Sequence, residues 1–235
     1  MPLRTTLLRM SLPSSVGCSM ATTAVDNDVA YKAICYAIAP QLLSQEHLGC
    51  DTIAILGSAR FVLTGLLKKE RFLAWEVGEQ RLADLLEFSQ FIEPSEEEVL
   101  FAADLEAAAM ATGLQLDTGE SLLASVLTTR GLDSFVTGDK RAVEALGCLR
   151  DDIAQLEAMD GKVVCLEMIV ADLLQKVDPV WLRSSICAQP KVDRSLAICF
   201  SCSSETREVE EVLEGLRSYT SHARKASNGL IAPET

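Results

Sequence analysis

LDTGESLLASVLTTRGLDSFVTGDKRAVEAL, residues 116–146, reads as helix, strand and helix, and that reading decides the fold. Asp117 and Glu120 stand at the start of the first helix, an apolar run follows, and Gly131 closes it. LDSFVTG has the β-branched and aromatic content of a strand, and Asp139 sits in the turn that ends it, directly before the helix DKRAVEALG. An acid at a strand end beside another acid at a helix start suggests a shared divalent cation.

Outward from this segment the same alternation continues. TTAVDND predicts a first strand with Asp26 at its C-terminal end, then a helix through DVAYKAICYAIAPQLL that Pro40 kinks or ends. DTIAILGS predicts a second buried strand, SARFVLTGLLKKERFLAWE and EQRLADLLEF predict helices, and QFIEP a short strand stopped at Pro94 and Ser95. In SEEEVLFAADLEAAAMATG, Ser95 and Glu98 have the spacing of a capping box, and Gly113 closes the helix. DIAQLEAM predicts a further helix and GKVVCLEM a fifth strand. Strands alternating with helices imply an α/β fold with a parallel sheet covered on both faces.

The ends of the chain read differently. Residues 1–21 contain Arg4 and Arg9 but no acid, and Arg9, Ser11 and Pro13 break the apolar core that a secretory signal needs, so a disordered leader is expected, with Met20 as an alternative start. Residues 22–178 form the expected domain, and 179–235 an appended element: WLRSSICAQPK loosely patterned, SLAICFSCSS as a strand, an acidic helix through ETREVEEVLEGLRSYTSHARK, and a frayed tail SNGLIAPET. Val209, Val212, Leu213 and Leu216 make one stripe on that helix, suited to packing on its own domain or on a partner.

Composition narrows the function classes. With 235 residues, 49% hydrophobic and 23% charged, the chain can bury a substantial core. No uninterrupted apolar stretch reaches the roughly 20 residues of a membrane-spanning helix. A net charge of -13 argues against holding nucleic acid by bulk electrostatics, so any grip on phosphates is local, through Lys68, Lys69 and Arg71 or through Lys140 and Arg141. The eight cysteines are scattered, several in apolar runs, and read as reduced thiols of a cytoplasmic protein; the Cys199–Cys202 spacing has no second pair to complete a zinc site. His47 and His222 are expected at the surface. No phosphate-loop, dinucleotide or serine-hydrolase motif is present.

Asp26, Asp117 and Asp139, with Glu120 beside them, are the candidate metal-ligating and catalytic residues, since hard carboxylate oxygens suit Mg²⁺ or Mn²⁺. Each also has a structural reading as a helix cap, with Asp117 and Glu120 spaced as a capping box.

The order of strands and acids from about residue 22 to 168 resembles the PIN-like nuclease family. Asp26, Asn27, Asp28 and Val29 match its first motif, Asp117, Gly119 and Glu120 its Asp-x-Gly-Glu variant, and Thr137, Gly138, Asp139 and Lys140 its strand-end motif. The resemblance implies a three-layer α/β/α sandwich whose central parallel sheet has about five strands and whose acids hold one or two Mg²⁺ or Mn²⁺ ions, with Asp28 and Thr137 in supporting roles. It also implies phosphodiester hydrolysis of RNA, in a toxin–antitoxin pair or in RNA processing, with an inhibitor protein or a homodimer as partner and no membrane. One departure stands out: members place an acid just after the second strand, where this chain has Ser58, Ala59 and Arg60, leaving Glu46, Asp51, Glu70 or Asp28 as substitutes. Two alternatives remain open. One is a PIN-like scaffold with lost catalysis that works through partners. The other is a haloacid-dehalogenase-like phosphatase using Asp26 and Asp28, with Thr128 and the Gly138–Lys140 turn as later motifs, although Val143 stands where that family has an acid.

Overall fold

The computed structural model describes residues 21–233, so the expected leader lies, but for Ala21, outside the described residues. Five short apolar runs form strands: β1 (Thr22–Val25), β2 (Thr52–Leu56), β3 (Gln90–Ile92), β4 (Ser134–Thr137) and β5 (Val163–Cys165). They pair in the order β3-β2-β1-β4-β5, every pair parallel, with Thr23 opposite Ile53 on one side and Ser134 on the other. Parallel neighbours need long crossovers, and helices supply them.

Strand alternation divides the core into two layers. Val25, Ile53, Ile55 and Val136 point to one face, where α1 (Asn27–Tyr36), α4 (Ala59–Glu70), α5 (Trp75–Phe88) and α9 (Leu166–Lys176) bury Ile34, Leu63, Leu85 and Val170. Ala24, Ala54, Leu56 and Phe135 point to the other, against Leu105 of α6 (Glu96–Ala111), Leu123 and Leu127 of α7 (Thr118–Arg130) and Leu146 of α8 (Lys140–Leu149). The result is the expected three-layer α/β/α sandwich. The capping box also forms: Glu98 N–H donates to Ser95 Oγ while Glu98 Oε2 accepts from Ser95 N–H.

Several expectations need correction. The helix predicted over 28–43 is two, because Ala37 turns left-handed at φ 59° and Pro40 falls in the first turn of a new helix, α2 (Ala39–Leu42), which leads to α3 (Gln45–Leu48). DIAQLEAM forms a 3-10 helix at Ala154–Met159. The fifth strand is short, with Leu166 already in α9. The segment SLAICFSC is not a strand: Asp193 accepts from Leu196 N–H and caps a short helix, α11 (Arg194–Cys199), a case where a short apolar run fits either state. Before it, Asp178 and Pro179 start α10 (Pro179–Cys187) in the segment that looked unpatterned.

The last helix, α12 (Val209–Ala226), forms as predicted and packs on α8, α9 and α11. Leu182, Ile186, Leu196, Phe200, Val212 and Leu216 belong to the same apolar cluster as Ile34 and Leu63. Burying each contributes about 1.5–3 kcal/mol, so these helices share the core of the sheet. The tail is not frayed as far as Ala232: Leu230 and Ile231 are buried, Ile231 bridges to Val163, and Ala232 N–H donates to Val163 O. The cysteines are not all reduced either, because α10 and the turn after α11 bring Cys187 and Cys202 to a Cα separation of 5.0 Å, where they form a disulfide. His47 is not a surface residue; its ring is 4% exposed and Nε2 meets Ile169 O at 2.9 Å, whereas His222 is exposed. Among the described residues no helix is long and apolar enough to cross a membrane.

Candidate metal centre

The chain runs from β1 outward to β2 and β3, then returns to place β4 on the other side of β1. In open parallel sheets such a reversal leaves a crevice at the carboxyl ends of the two central strands. Asp26 immediately follows β1 and Asp139 follows β4, so the acids flank this crevice. The N-terminus of α7 closes it from the second layer. There a Cβ on Gly119 would lie 3.9 Å from both Asp26 Oδ1 and Asn27 Nδ2, an ordinary contact distance, so the start of α7 lies beside the end of β1.

Carboxylate oxygens of Asp117, Glu120 and Asp139 all lie within 4.8 Å of one another, a grouping that could hold a metal ion. Glu120 is buried, Asp139 half-buried and Asp117 exposed. Asp26 is outside that mutual group but lines the same cleft of about 350 Å³, together with Asn27, Asp28, Asp117 and Glu120. It is 2% exposed, and its Oδ2 has no hydrogen-bond partner. The Oδ1 of neighbouring Asn27 is also buried and unpaired.

Capping does not account for these acids. Asp26 and Asp117 occupy N-cap positions yet make no side-chain cap bond, and the capping box expected of Asp117 and Glu120 is not formed. Only Asp139 caps, accepting from Arg141 N–H at 2.8 Å. Thr137, 1% exposed, accepts from Asp139 N–H at 3.1 Å and so sets the turn rather than facing solvent.

The electrostatics are those of a site short of positive charge. Burial, with Glu120 and Asp28 adding repulsion, pushes the Asp26 carboxyl up to about 8, opposed only in part by the N–H groups of Asn27 and Asp28. Burial raises Glu120 to about 7, with Asp139, Asp117 and Asp28 contributing. Asp139 differs: burial raises it too, but the Arg141 side chain and N–H outweigh that and hold it below the usual carboxylate range. Arg141 Nη2 sits 2.7 Å from Asp139 Oδ2 and Nε 3.2 Å from Oδ1, so a largely exposed guanidinium supplies the one cation that touches the acid group directly among the described residues.

Asp28 points toward the same cleft and is held from behind. Lys32 Nζ lies 2.6 Å from Asp28 Oδ2 and 2.7 Å from Asp193 Oδ2. Gly138 leaves room for this, since a Cβ there would fall 2.3 Å from Asp28 Oδ2. Sequence reasoning missed Lys32 and Asp193 because a lysine in an apolar helix and an aspartate more than 160 residues away share no local pattern.

After β2 there is no carboxylate from the chain's own turn, and the proposed substitutes before and after it do not reach. Asp51 lies at the opposite end of the sheet, where its Oδ2 accepts from Ala21 N–H. Glu46 lies in α3, beside Leu173 and Lys176 of α9. Glu70 ends α4, about 18 Å along the helix from Ser58. Instead Glu93, just beyond β3, lays its carboxylate over Gly57, where any Cβ would collide with it. Of the expected basic rim, Lys68 stacks on Trp75, and Lys140 pairs with Glu167.

Comparison of the chain with protein-family models, with curated proteins and with solved structures finds no match.

Proposed function

We propose that this chain is a metal-dependent phosphodiesterase. Asp117, Glu120 and Asp139 would hold a Mg²⁺ or Mn²⁺ ion, with Asp26 as a further ligand from the same cleft and Asp28 and Thr137 supporting it. We further read it as a PIN-like nuclease acting on RNA, on the strength of the three motifs and the sheet order taken together. The observation that carries the proposal is the buried Asp26 oxygen without a partner, in the cleft that Asp117 and Glu120 of the three-carboxylate group also line. Native proteins seldom leave such an atom unpaired, and an isolated buried carboxylate is costly unless a cation or a proton compensates.

Bound there, the metal would supply an activated water and charge neutralisation at the phosphoryl oxygens. The chain's own contribution is position. Gly138 leaves room for Asp28 beside the Asp139 turn, Thr137 fixes that turn, and Arg141 holds Asp139 in its ionised form. The phosphatase alternative is disfavoured by Thr128, which lies inside α7 with its hydroxyl donating to Ser125 O rather than at a strand end.

The test is Mn²⁺ titration by calorimetry on wild type and Asp117→Asn, followed by incubation of the loaded protein with labelled structured RNAs. Binding by wild type that the mutant loses, with RNA cleavage, supports the nuclease. Mn²⁺ binding without cleavage would favour the scaffold whose catalysis is lost, for which the missing acid after β2 is the motive. No binding by either chain would reject the metal centre.

A further inference from the structure

The C-terminal helices do more than cover the core, because the N-cap of α11, Asp193, sends its carboxylate to Lys32, which grips the cleft residue Asp28. Asp193 uses its two oxygens separately: Oδ1 accepts from Leu196 N–H and starts α11, and Oδ2 meets Lys32 Nζ at 2.7 Å. Lys32 is 11% exposed and Asp193 13%, so this pair is largely shielded from water, while the Asp28 side chain that Lys32 also grips is 39% exposed on the cleft side. Leu196, Cys199 and Phe200 seat α11 in the core, and the Cys187–Cys202 disulfide closes the segment on either side of it.

Two features make this more than an incidental ion pair. First, Lys32 places a positive charge beside acids proposed to bind a cation, where through charge alone it would weaken that binding. Second, a Cβ on Gly138 would fall 2.3 Å from Asp28 Oδ2 and 3.2 Å from Lys32 Nζ, so the turn carrying Asp139 packs directly on this contact and a side chain there would displace it. Without Lys32, Asp28 would be repelled by Asp139 and Asp193, and its side chain, 39% exposed, would be free to turn toward solvent.

We infer that Lys32 and Asp193 are positioning residues of the metal centre: Asp193 fixes Lys32, and Lys32 fixes Asp28 at the cleft, where Asp28 supplies the carboxylate missing after β2. This rests on the metal reading above. Partners of this kind, one shell removed from the ligands, typically change metal affinity by about 10- to 100-fold when removed.

The sign of the effect tests it. Full-length wild type, Lys32→Met with Asp193→Leu, and Lys32→Arg are compared by Mn²⁺ calorimetry and by the paramagnetic resonance spectrum of bound Mn²⁺. The apolar pair removes the shielded charges Lys32 and Asp193 together, with loss of the α11 cap, and circular dichroism and thermal melting check that the fold persists. Positioning predicts Mn²⁺ affinity about 10-fold weaker or more and an altered spectrum, with Lys32→Arg restoring most of the affinity. Loss of a nearby cation acting through charge alone predicts tighter binding, and a purely structural pair predicts no change; either result overturns the inference while leaving the metal centre standing. Should the apolar pair not fold, Asp193→Asn is read instead, since asparagine keeps the α11 cap, and unchanged Mn²⁺ affinity in it overturns the inference equally. Absence of Mn²⁺ binding by wild type would remove the metal reading and this one together.

Discussion

The two ends of the sheet treat their carboxylates in opposite ways. At the N-terminal end Asp51 and Asp133 are exposed, and each has a backbone partner: Asp51 Oδ2 accepts from Ala21 N–H at 2.8 Å and Asp133 Oδ2 from Thr22 N–H at 2.7 Å. At the C-terminal end Asp26 and Glu120 are buried, yet Asp26 Oδ2 has no partner and both carboxyls are pushed upward, to about 8 and about 7. Acids that serve the fold find donors even where water could replace them. Acids with too few donors where water cannot reach store an unfavourable interaction, and sites of that kind cluster where function requires charge.

The largest way to break this contrast is one substitution made at both ends. In metal-free protein, Asp26→Asn should raise stability at pH 7–8 by roughly 2–4 kcal/mol, because the folded wild type must take up a proton or bury a charge there. For a chain of this size that is roughly 5–10 °C in thermal midpoint. It should also remove Mn²⁺ binding. A lower midpoint would make Asp26 a structural acid and end the contrast.

Acidity offers a second test on unmodified protein. The folded state holds protons on Asp26 up to about 8 and on Glu120 up to about 7, whereas the unfolded chain releases them near the ordinary carboxylate values. Between those limits the folded state binds more protons, so stability should decline as pH rises from about 5 to 8. Thermal melts in chelator should show that decline in wild type and a flatter profile in Asp26→Asn; an equally steep profile in both would place the titrating groups elsewhere. Asp133→Asn should instead change stability by less than about 1 kcal/mol, because its amide oxygen can still accept from Thr22 N–H.

This contrast also explains what the sequence could reveal. Strand-forming runs such as TIAIL and SFVT are buried on both faces and carry their own pattern, so the sheet and its three layers were legible, as was the convergence of Asp117, Glu120 and Asp139 on one grouping. Whether an acid caps a helix was not legible, since Asp117 has the residue type and spacing of a cap but turns into the cleft. The route from Asp193 to Asp28 was invisible for a different reason: α11 exists because a cap and tertiary packing override a short apolar run, and the Cys187–Cys202 bond depends on that packing as well.

Asp139, like Asp28, has a cation partner at the C-terminal end, and it yields the smallest expected effect. Its partner is Arg141, whose side chain is 64% exposed, and a pair so open to solvent is worth about 1 kcal/mol or less. A bound metal would have to take Asp139 from that guanidinium, so Arg141→Ala should tighten Mn²⁺ binding, by no more than about fivefold, and the gain should shrink as salt screens the pair. Weaker binding would instead show that Arg141 orders the Asp139 turn through its bond to Gln115 Oε1, and would move Arg141 from competitor to support.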